Sequence, residues 1–279
     1  VISGTTALYA VIGHPVAHSR SPAMQNAAFA ELGIDAVYVA LPVEPAGLPD
    51  ALRGAHALGF RGLNVTVPHK QRTAGLCAAL DPVAEEVGAV NTLRRAPEGW
   101  EGFNTDAPAT LSLLEGAGVR PGMRALLVGA GGAARAAAWA LAKAGTQLRV
   151  AARRPEAAAE LAHGIAHALP GTPRGQEARW GALAEESAAA DVVVNSTSVG
   201  LAGHEARLPG VAFRRGQIVL DFVYGDTEFV AAARAAGARV VTGEEVLVRQ
   251  GALAFTLWTG RAAPEAVMTA AVARAGGRR

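Results

Sequence analysis

Lys70 closes the stretch Asn64-Val-Thr-Val-Pro-His-Lys70 in a chain that hardly uses lysine. Of its 26 Lys and Arg residues, only Lys70 and Lys143 are lysines. Arginine is locked in its charged form, whereas lysine gives up a proton when its surroundings press on it. An acid–base task accounts for a lysine where arginine is the habit. Asp106, in Asn104-Thr-Asp-Ala107, is the partner the sequence offers. A carboxylate beside an ammonium orients it and shares its proton, and burial brings lysine toward the operating pH. Asp106 also has a plainer reading, as the N-cap of the helix predicted over "APATLSLLEG". The chemistry that would suit the pair is carbonyl reduction by hydride, where the developing alkoxide needs a proton.

Scarce polar residues gather around these two. Asparagine occurs five times, and Asn64, Asn91 and Asn104 lie in "NVTVPHK", "AVNTL" and "GFNTDA", each near the end of a predicted element. Ser19 and Ser21 flank Arg20 just after the first predicted strand. Taken singly, such residues favour turns and caps. Together at the carboxyl ends of strands they suit a small polyhydroxylated ligand, whose hydroxyls can meet amides and side-chain hydroxyls. His14, His18 and His69 lie nearby and are expected to be exposed turn histidines. No His/Cys/Asp/Glu spacing resembles a metal site. Cys77, in a predicted helix and without a nucleophile's partners, is expected to pack.

A second locus is Gly129-Ala-Gly131-Gly132-Ala133-Ala134, between a predicted strand and a predicted helix. Gly129 permits a tight turn and Gly131 lets the backbone approach a pyrophosphate. Ala134 allows close helix–strand packing, and the helix N–H groups face the anion. The strand that follows ends Ala151-Ala152-Arg153-Arg154, with no acid before Glu156. A dinucleotide site for NAD places a carboxylate there to grip the ribose 2′-hydroxyl. Two guanidiniums instead suit a 2′-phosphate, so NADP is expected; the alternative is two solvent-facing arginines.

These residues need a scaffold, and the hydrophobic pattern predicts one. Strands are predicted at 7–13, 36–43 and 62–68. Helices are predicted after Ser21 as N-cap with Pro22 in the first turn, over 47–59, and from Thr73 to Val87. A second series starts at 124 and runs strand, glycine turn, helix, strand over "QLRVAARR", helix over 155–168. Three further strands follow in "DVVVNSTSVG", "GQIVLDFVYG" and "ARVVTG", with a helix over "DTEFVAAARAAG" before the last. The chain then ends in helices. The fold class is α/β: an N-terminal α/β substrate domain with a mostly parallel sheet, and a Rossmann-type NADP-binding domain. The expected borders are 1–107 plus 245–279 for the first and 108–244 for the second.

The bulk numbers fit this frame. A chain of 279 residues, 51% hydrophobic and 18% charged, can bury one large core or two medium ones. Net charge is +2 with the arginines scattered, so no nucleic-acid partner is expected. Cys77 is the single cysteine, which excludes an internal disulfide and points to the cytoplasm. The opening "VISGTTALYAVIG" does not read as a signal peptide, and the alanine-rich 133–145 is too short to span a bilayer, so no membrane partner is expected. The chain is expected to act on a small molecule as a monomer or homodimer.

In order along the chain, "VIGHPVAHSRSPAMQNAAF", "NVTVPHK", "GAVNTL", "GFNTDA", "GAGGAARA", "NSTSVG" and "QGALAFTLWTG" resemble the motifs of the shikimate dehydrogenase family over nearly the whole length. The resemblance implies reduction of 3-dehydroshikimate to shikimate with NADPH, in aromatic amino-acid biosynthesis. It implies Lys70 and Asp106 as the catalytic pair. Ser19, Ser21, Asn64, Thr66, Asn91, Tyr224 and Gln250 would hold the substrate's hydroxyls and carboxylate. Gly129, Ala130, Gly131, Gly132 and Ala133 would cradle the pyrophosphate. Thr197, Phe222 and Gly243 would line the nicotinamide side. The family's usual Asn-Arg-Thr at the 2′-phosphate is here Ala152-Arg153-Arg154, and Ala157 stands where a further arginine is often found. A related branch accepts quinate and uses NAD, and "SPAMQNAAF" and "FTLWTG" are similar to it. A non-catalytic ligand sensor on the same fold is the rival outside enzymes; the intact Lys70 and Asp106 speak against it.

Overall fold

Apolar strands alternating with alanine-rich helices build two six-stranded sheets in the computed structural model, which describes residues 2–200, 208 and 210–277. The chain divides into two compact units, Val1–Thr105 with Leu247–Arg279, and Asp106–Val246. The divisions fall after 105 and 246, where the sequence reading set them after 107 and 244.

In the first unit the elements run β1 (Ala7–Gly13), α1 (Ser21–Glu31), β2 (Ala36–Pro42), α2 (Leu48–Ala57), β3 (Gly62–Val65), α3 (Lys70–Ala74), β4 (Ala79–Leu80), α4 (Pro82–Val87), β5 (Thr92–Ala96) and β6 (Gly99–Phe103). The sheet order is β2-β1-β3-β5-β6-β4. The strands β1, β2 and β3 are parallel, β5 and β6 form an antiparallel hairpin against β3, and β4 is parallel to β6. Ala10, Ile12, Leu63, Val65, Leu93 and Trp100 fill one face with Leu48 and Leu52 of α2. The edge strand β2 is blunted by Asn26 of α1. Its Oδ1 accepts the Tyr38 N–H at 2.8 Å and its Nδ2 donates to the Tyr38 carbonyl at 2.7 Å, as a neighbouring strand would.

In the second unit come α5 (Asp106–Ala117), β7 (Arg124–Val128), α6 (Gly132–Lys143), β8 (Gln147–Ala151), α7 (Pro155–Ala168), β9 (Gln176–Glu177), α8 (Leu183–Ala189), β10 (Val192–Asn195), β11 (Ile218–Asp221), α9 (Glu228–Ala235) and β12 (Arg239–Val241). The order β12-β11-β10-β7-β8-β9 is parallel throughout, the doubly wound arrangement in which ligands sit beyond the strands' carboxyl ends. The chain then runs through α10 (Gly243–Thr259) into α11 (Glu265–Gly276), which packs on α1. Phe29, Phe255, Tyr9 and Trp258 form a continuous aromatic row joining α1, α10 and β1.

Several local expectations are corrected. Ser21 is the first helical residue of α1 and not its N-cap; Arg20 occupies the cap position, and the Ser21 N–H donates to Ser19 Oγ at 3.3 Å. The third strand ends at Val65, because Thr66 to His69 turn: the His69 N–H donates to the Thr66 carbonyl at 3.0 Å. The helix expected over 73–87 is broken into α3 and α4. Pro82 cannot continue a helix hydrogen-bond ladder, and Asp81 restarts one by accepting the Ala84 N–H at 2.9 Å. Cys77 consequently lies between elements. The strand expected to reach Arg154 stops at Ala151.

Candidate active site

In the first unit an amide network joins β3, β5, α10 and the chain after β6. Tyr38 Oη donates to Asn64 Oδ1 at 2.7 Å. Asn64 Nδ2 donates to the Asn91 carbonyl at 3.2 Å and to Thr92 Oγ1 at 3.0 Å. Asn91 Oδ1 accepts the Thr105 N–H at 2.7 Å, while its Nδ2 donates to Thr105 Oγ1 at 2.9 Å and to Gln250 Oε1 at 3.3 Å. Gln250 is held in turn by donating from Nε2 to the Leu247 carbonyl at 2.8 Å. The structure thus brings Asn64, Asn91 and Gln250 into one buried cluster. Both amide hydrogens of Asn64 and of Asn91 are spent inside the protein. What these two keep for a ligand is acceptor capacity, chiefly at Asn64 Oδ1. Tyr38 and Gln25 are members the sequence reading missed; Gln25 Nε2 donates to the carbonyl of Gly251, next to Gln250, at 3.0 Å. A phenol in the apolar run "AVYVALP" was the available signal for the first.

Lys70 opens α3 half-buried, and its carbonyl accepts the Val90 N–H at 2.9 Å. Thr66 is half-buried four residues earlier, and the half-buried Ser19 lies two residues before the buried Ser21. His69 is not an exposed turn residue. It is 1% exposed, and its Nε2–H donates to the Val43 carbonyl at 2.7 Å, anchoring the turn that precedes Lys70. His14 and His18 are exposed. Asn104 donates from Nδ2 to the Ala89 carbonyl at 2.8 Å and so acts on the backbone. Burial pushes the Cys77 thiol up to about 12, and its Sγ–H donates to the Thr73 carbonyl at 3.2 Å, an inert packing residue. Among the described residues no group of three or more His, Cys, Asp or Glu could hold a metal.

In the second unit Asp106 opens α5 and is buried. Gly129 follows β7 at φ +119°, and a Cβ there would stand 2.4 Å from Ser196 Oγ, so the turn admits only glycine. Gly131 precedes α6 with open space where a side chain would project, and no side chain caps the helix. Gly132 and Ala133 form the first turn. The uncapped N–H groups and the open approach fit a pyrophosphate. Past β8, Ala152 is buried while Arg153 and Arg154 are exposed. No hydrogen bond or ion pair engages either guanidinium among the described residues, whereas Arg149 is committed to Glu186 and Arg214 to Asp191. Two uncommitted arginines beyond the strand fit a 2′-phosphate.

At the other side of the same sheet end, Thr197, Phe222 and Tyr224 are half-buried and Gly243 is buried. The Asn195 side chain governs Thr197: its Oδ1 accepts the Thr197 N–H at 3.0 Å and the Thr197 hydroxyl at 2.7 Å. No helix among the described residues is long and apolar enough to cross a membrane.

The family model of the shikimate dehydrogenase substrate binding domain matches residues 11–93, and that of the shikimate 5'-dehydrogenase C-terminal domain matches residues 243–273. A shikimate dehydrogenase (NADP(+)) of Anaeromyxobacter sp. (strain K) is 70% identical over 100% of both chains. The crystal structure of Thermus thermophilus shikimate 5-dehydrogenase with NADP(H) and shikimate is 37% identical, with a TM-score of 0.82 over 97% of this chain and 100% of the other. A quinate dehydrogenase from Corynebacterium glutamicum in complex with NAD is 31% identical, with a TM-score of 0.86 over 96% of this chain and 99% of the other.

Proposed function

The chain belongs to the shikimate dehydrogenase family, and on that premise we propose that it catalyses the reversible NADP-dependent reduction of 3-dehydroshikimate to shikimate. The observation that carries the reading is the 70% identity, without gaps in coverage, to an enzyme of that name. We place it in the cytoplasm, as a monomer or homodimer with no nucleic-acid partner.

When bound, the reduced cofactor supplies the hydride. The chain's own residues must hold the substrate and manage one proton. In this proposal Lys70 donates that proton to the carbonyl oxygen as it becomes a hydroxyl, and its neutral amine takes the proton back in the reverse direction. Asp106 keeps the ammonium oriented. An arginine could not complete the cycle, because it does not deprotonate. Thr66, Ser19 and Ser21 supply hydroxyl groups to the substrate, Asn64 Oδ1 accepts from a substrate hydroxyl, and Tyr224 and Gln250 complete the contacts. Gly129 to Ala133 hold the pyrophosphate, and Arg153 and Arg154 hold the 2′-phosphate beside Ala152. Thr197, Phe222 and Gly243 flank the nicotinamide.

The test is a matrix of rates with shikimate and quinate, each with NADP+ and NAD+, followed by absorbance at 340 nm. Shikimate with NADP+ should dominate. Preference for quinate with NAD+ would move the chain to the quinate-using branch, and absence of turnover in all four combinations would favour a sensor.

A further inference from the structure

Asp221 ends β11 with its side chain 0% exposed. A buried carboxylate is ordinarily matched by a cation; here the charge acting on it is that of Glu244, which has the same sign. Neutral donors hold it instead. Its Oδ1 accepts Asn195 Nδ2 at 2.9 Å and the Val223 N–H at 3.0 Å, and its Oδ2 accepts the Thr227 hydroxyl at 2.6 Å. Each donor leads to a different segment. Asn195 uses its other end to hold Thr197. Thr227 caps α9 by accepting the Val230 N–H at 3.1 Å. The Phe222–Val223 backbone lies so close to Gly243 that a Cβ there would stand 2.7 and 2.8 Å from their carbonyl oxygens. Thr197 and the Phe222–Val223 backbone are thus tied to one carboxylate, and Gly243 packs against that backbone.

We propose that Asp221, in its ionised form, is a positioning residue that sets the loops after β10 and β11 for the cofactor, so that NADP affinity depends on its charge. The proposal rests on the reading of the chain as an NADP-dependent dehydrogenase. Its logic is hydrogen-bond arithmetic. A carboxylate accepts from all three donors at once with charge-assisted bonds; a proton sets an O–H among groups that are themselves donors and removes the charge that holds them. Burial pushes the carboxyl up to about 6, against the three donors, so the loss falls in a range an assay can reach. A merely structural role would be served better by an amide, since ionising a buried group whose affinity for protons is raised weakens the fold.

The experiment is Asp221→Asn, with the Kd for NADP+ measured by calorimetry on the full chain at pH 7.5 and 5.5. Titration of the 2′-phosphate is common to both proteins and cancels in their ratio. At pH 7.5 the variant should bind NADP+ about fivefold or more weakly, and at pH 5.5 the two Kd values should converge. The variant's Tm at pH 7.5 should equal or exceed that of the parent. A ratio near one at both pH values, or a ratio that does not change with pH, overturns the proposal. Should Asp221→Asn fail to fold, Asn195→Ala cuts the link from the carboxylate to Thr197 and leaves Asp221 two donors. It should weaken NADP+ at pH 7.5, and unaltered binding would overturn the proposal equally. If the parent binds no NADP+ at either pH, the dehydrogenase reading fails instead.

Discussion

The Asn91 side-chain oxygen accepts the Thr105 N–H at 2.7 Å, so the residue that reaches Gln250 of α10 also fixes the backbone one position before Asp106. Thr105 is far from Asn91 in neither sequence nor fold: the β5–β6 hairpin returns the chain, with the Asn91 N–H donating to the Phe103 carbonyl at 3.1 Å. Replacing Asn91 by alanine strands the Thr105 N–H and an amide partner of Gln250 in a buried setting. The expected cost is about 2 kcal/mol of stability, read by urea unfolding, with a raised KM for shikimate. The KM for NADP+ should stay as it is.

That hairpin shows what the sequence could and could not disclose. The strand–helix alternation was legible from apolar runs, and the parallel sheet of the second unit follows from it. The hairpin was not: "TLRRA" and "GWEGF" are short and carry charged or glycine positions, so neither reads as a strand without its neighbours. Asn64 and Asn91 could be singled out by scarcity and position. Their spending of hydrogens on Thr92 and Thr105 is a tertiary fact, invisible to spacing. Asp221 was readable as an acid closing an apolar strand, but its donors come from the end of β10 and from two points of the β11–α9 connection.

Arg153 and Arg154 are free of partners past β8 among the described residues, and the cofactor reading gives them one task. The double variant Arg153→Ala/Arg154→Ala should raise the KM for NADP+ by about 10- to 100-fold, the loss of two charge-assisted contacts. The KM for NAD+ should hardly move. Equal losses with both cofactors in steady-state kinetics would remove these arginines from the 2′-phosphate.

Stability should depend on pH through Asp221 in a determined direction. Its carboxyl rises from an ordinary 3.8 to about 6 in the folded protein. Between those values the folded chain keeps a proton that the unfolded chain releases, so this contribution is full below about 3.8 and is lost as pH rises through 6. Asp221→Asn removes the dependence. Its advantage in Tm should therefore grow from pH 4 to pH 7, up to about 3 kcal/mol in stability, as scanning calorimetry at several pH values would record.

Cys77, half-buried and with its thiol pushed up to about 12, should be alkylated more slowly at neutral pH in the folded protein than in the unfolded chain. Mass spectrometry after iodoacetamide treatment reads this directly. Cys77→Ala should leave kcat unchanged; a loss of turnover would give the thiol a role the packing does not.

Substitution of Lys70 by arginine keeps a positive charge and removes the ability to pass a proton, which makes it a sharper probe than alanine. Steady-state oxidation of shikimate with NADP+, together with calorimetric NADP+ binding, is the most direct measurement. The account predicts a kcat lowered by about 100-fold or more with the Kd for NADP+ unchanged. Turnover near that of the parent would contradict it, because position 70 would then need charge and nothing else.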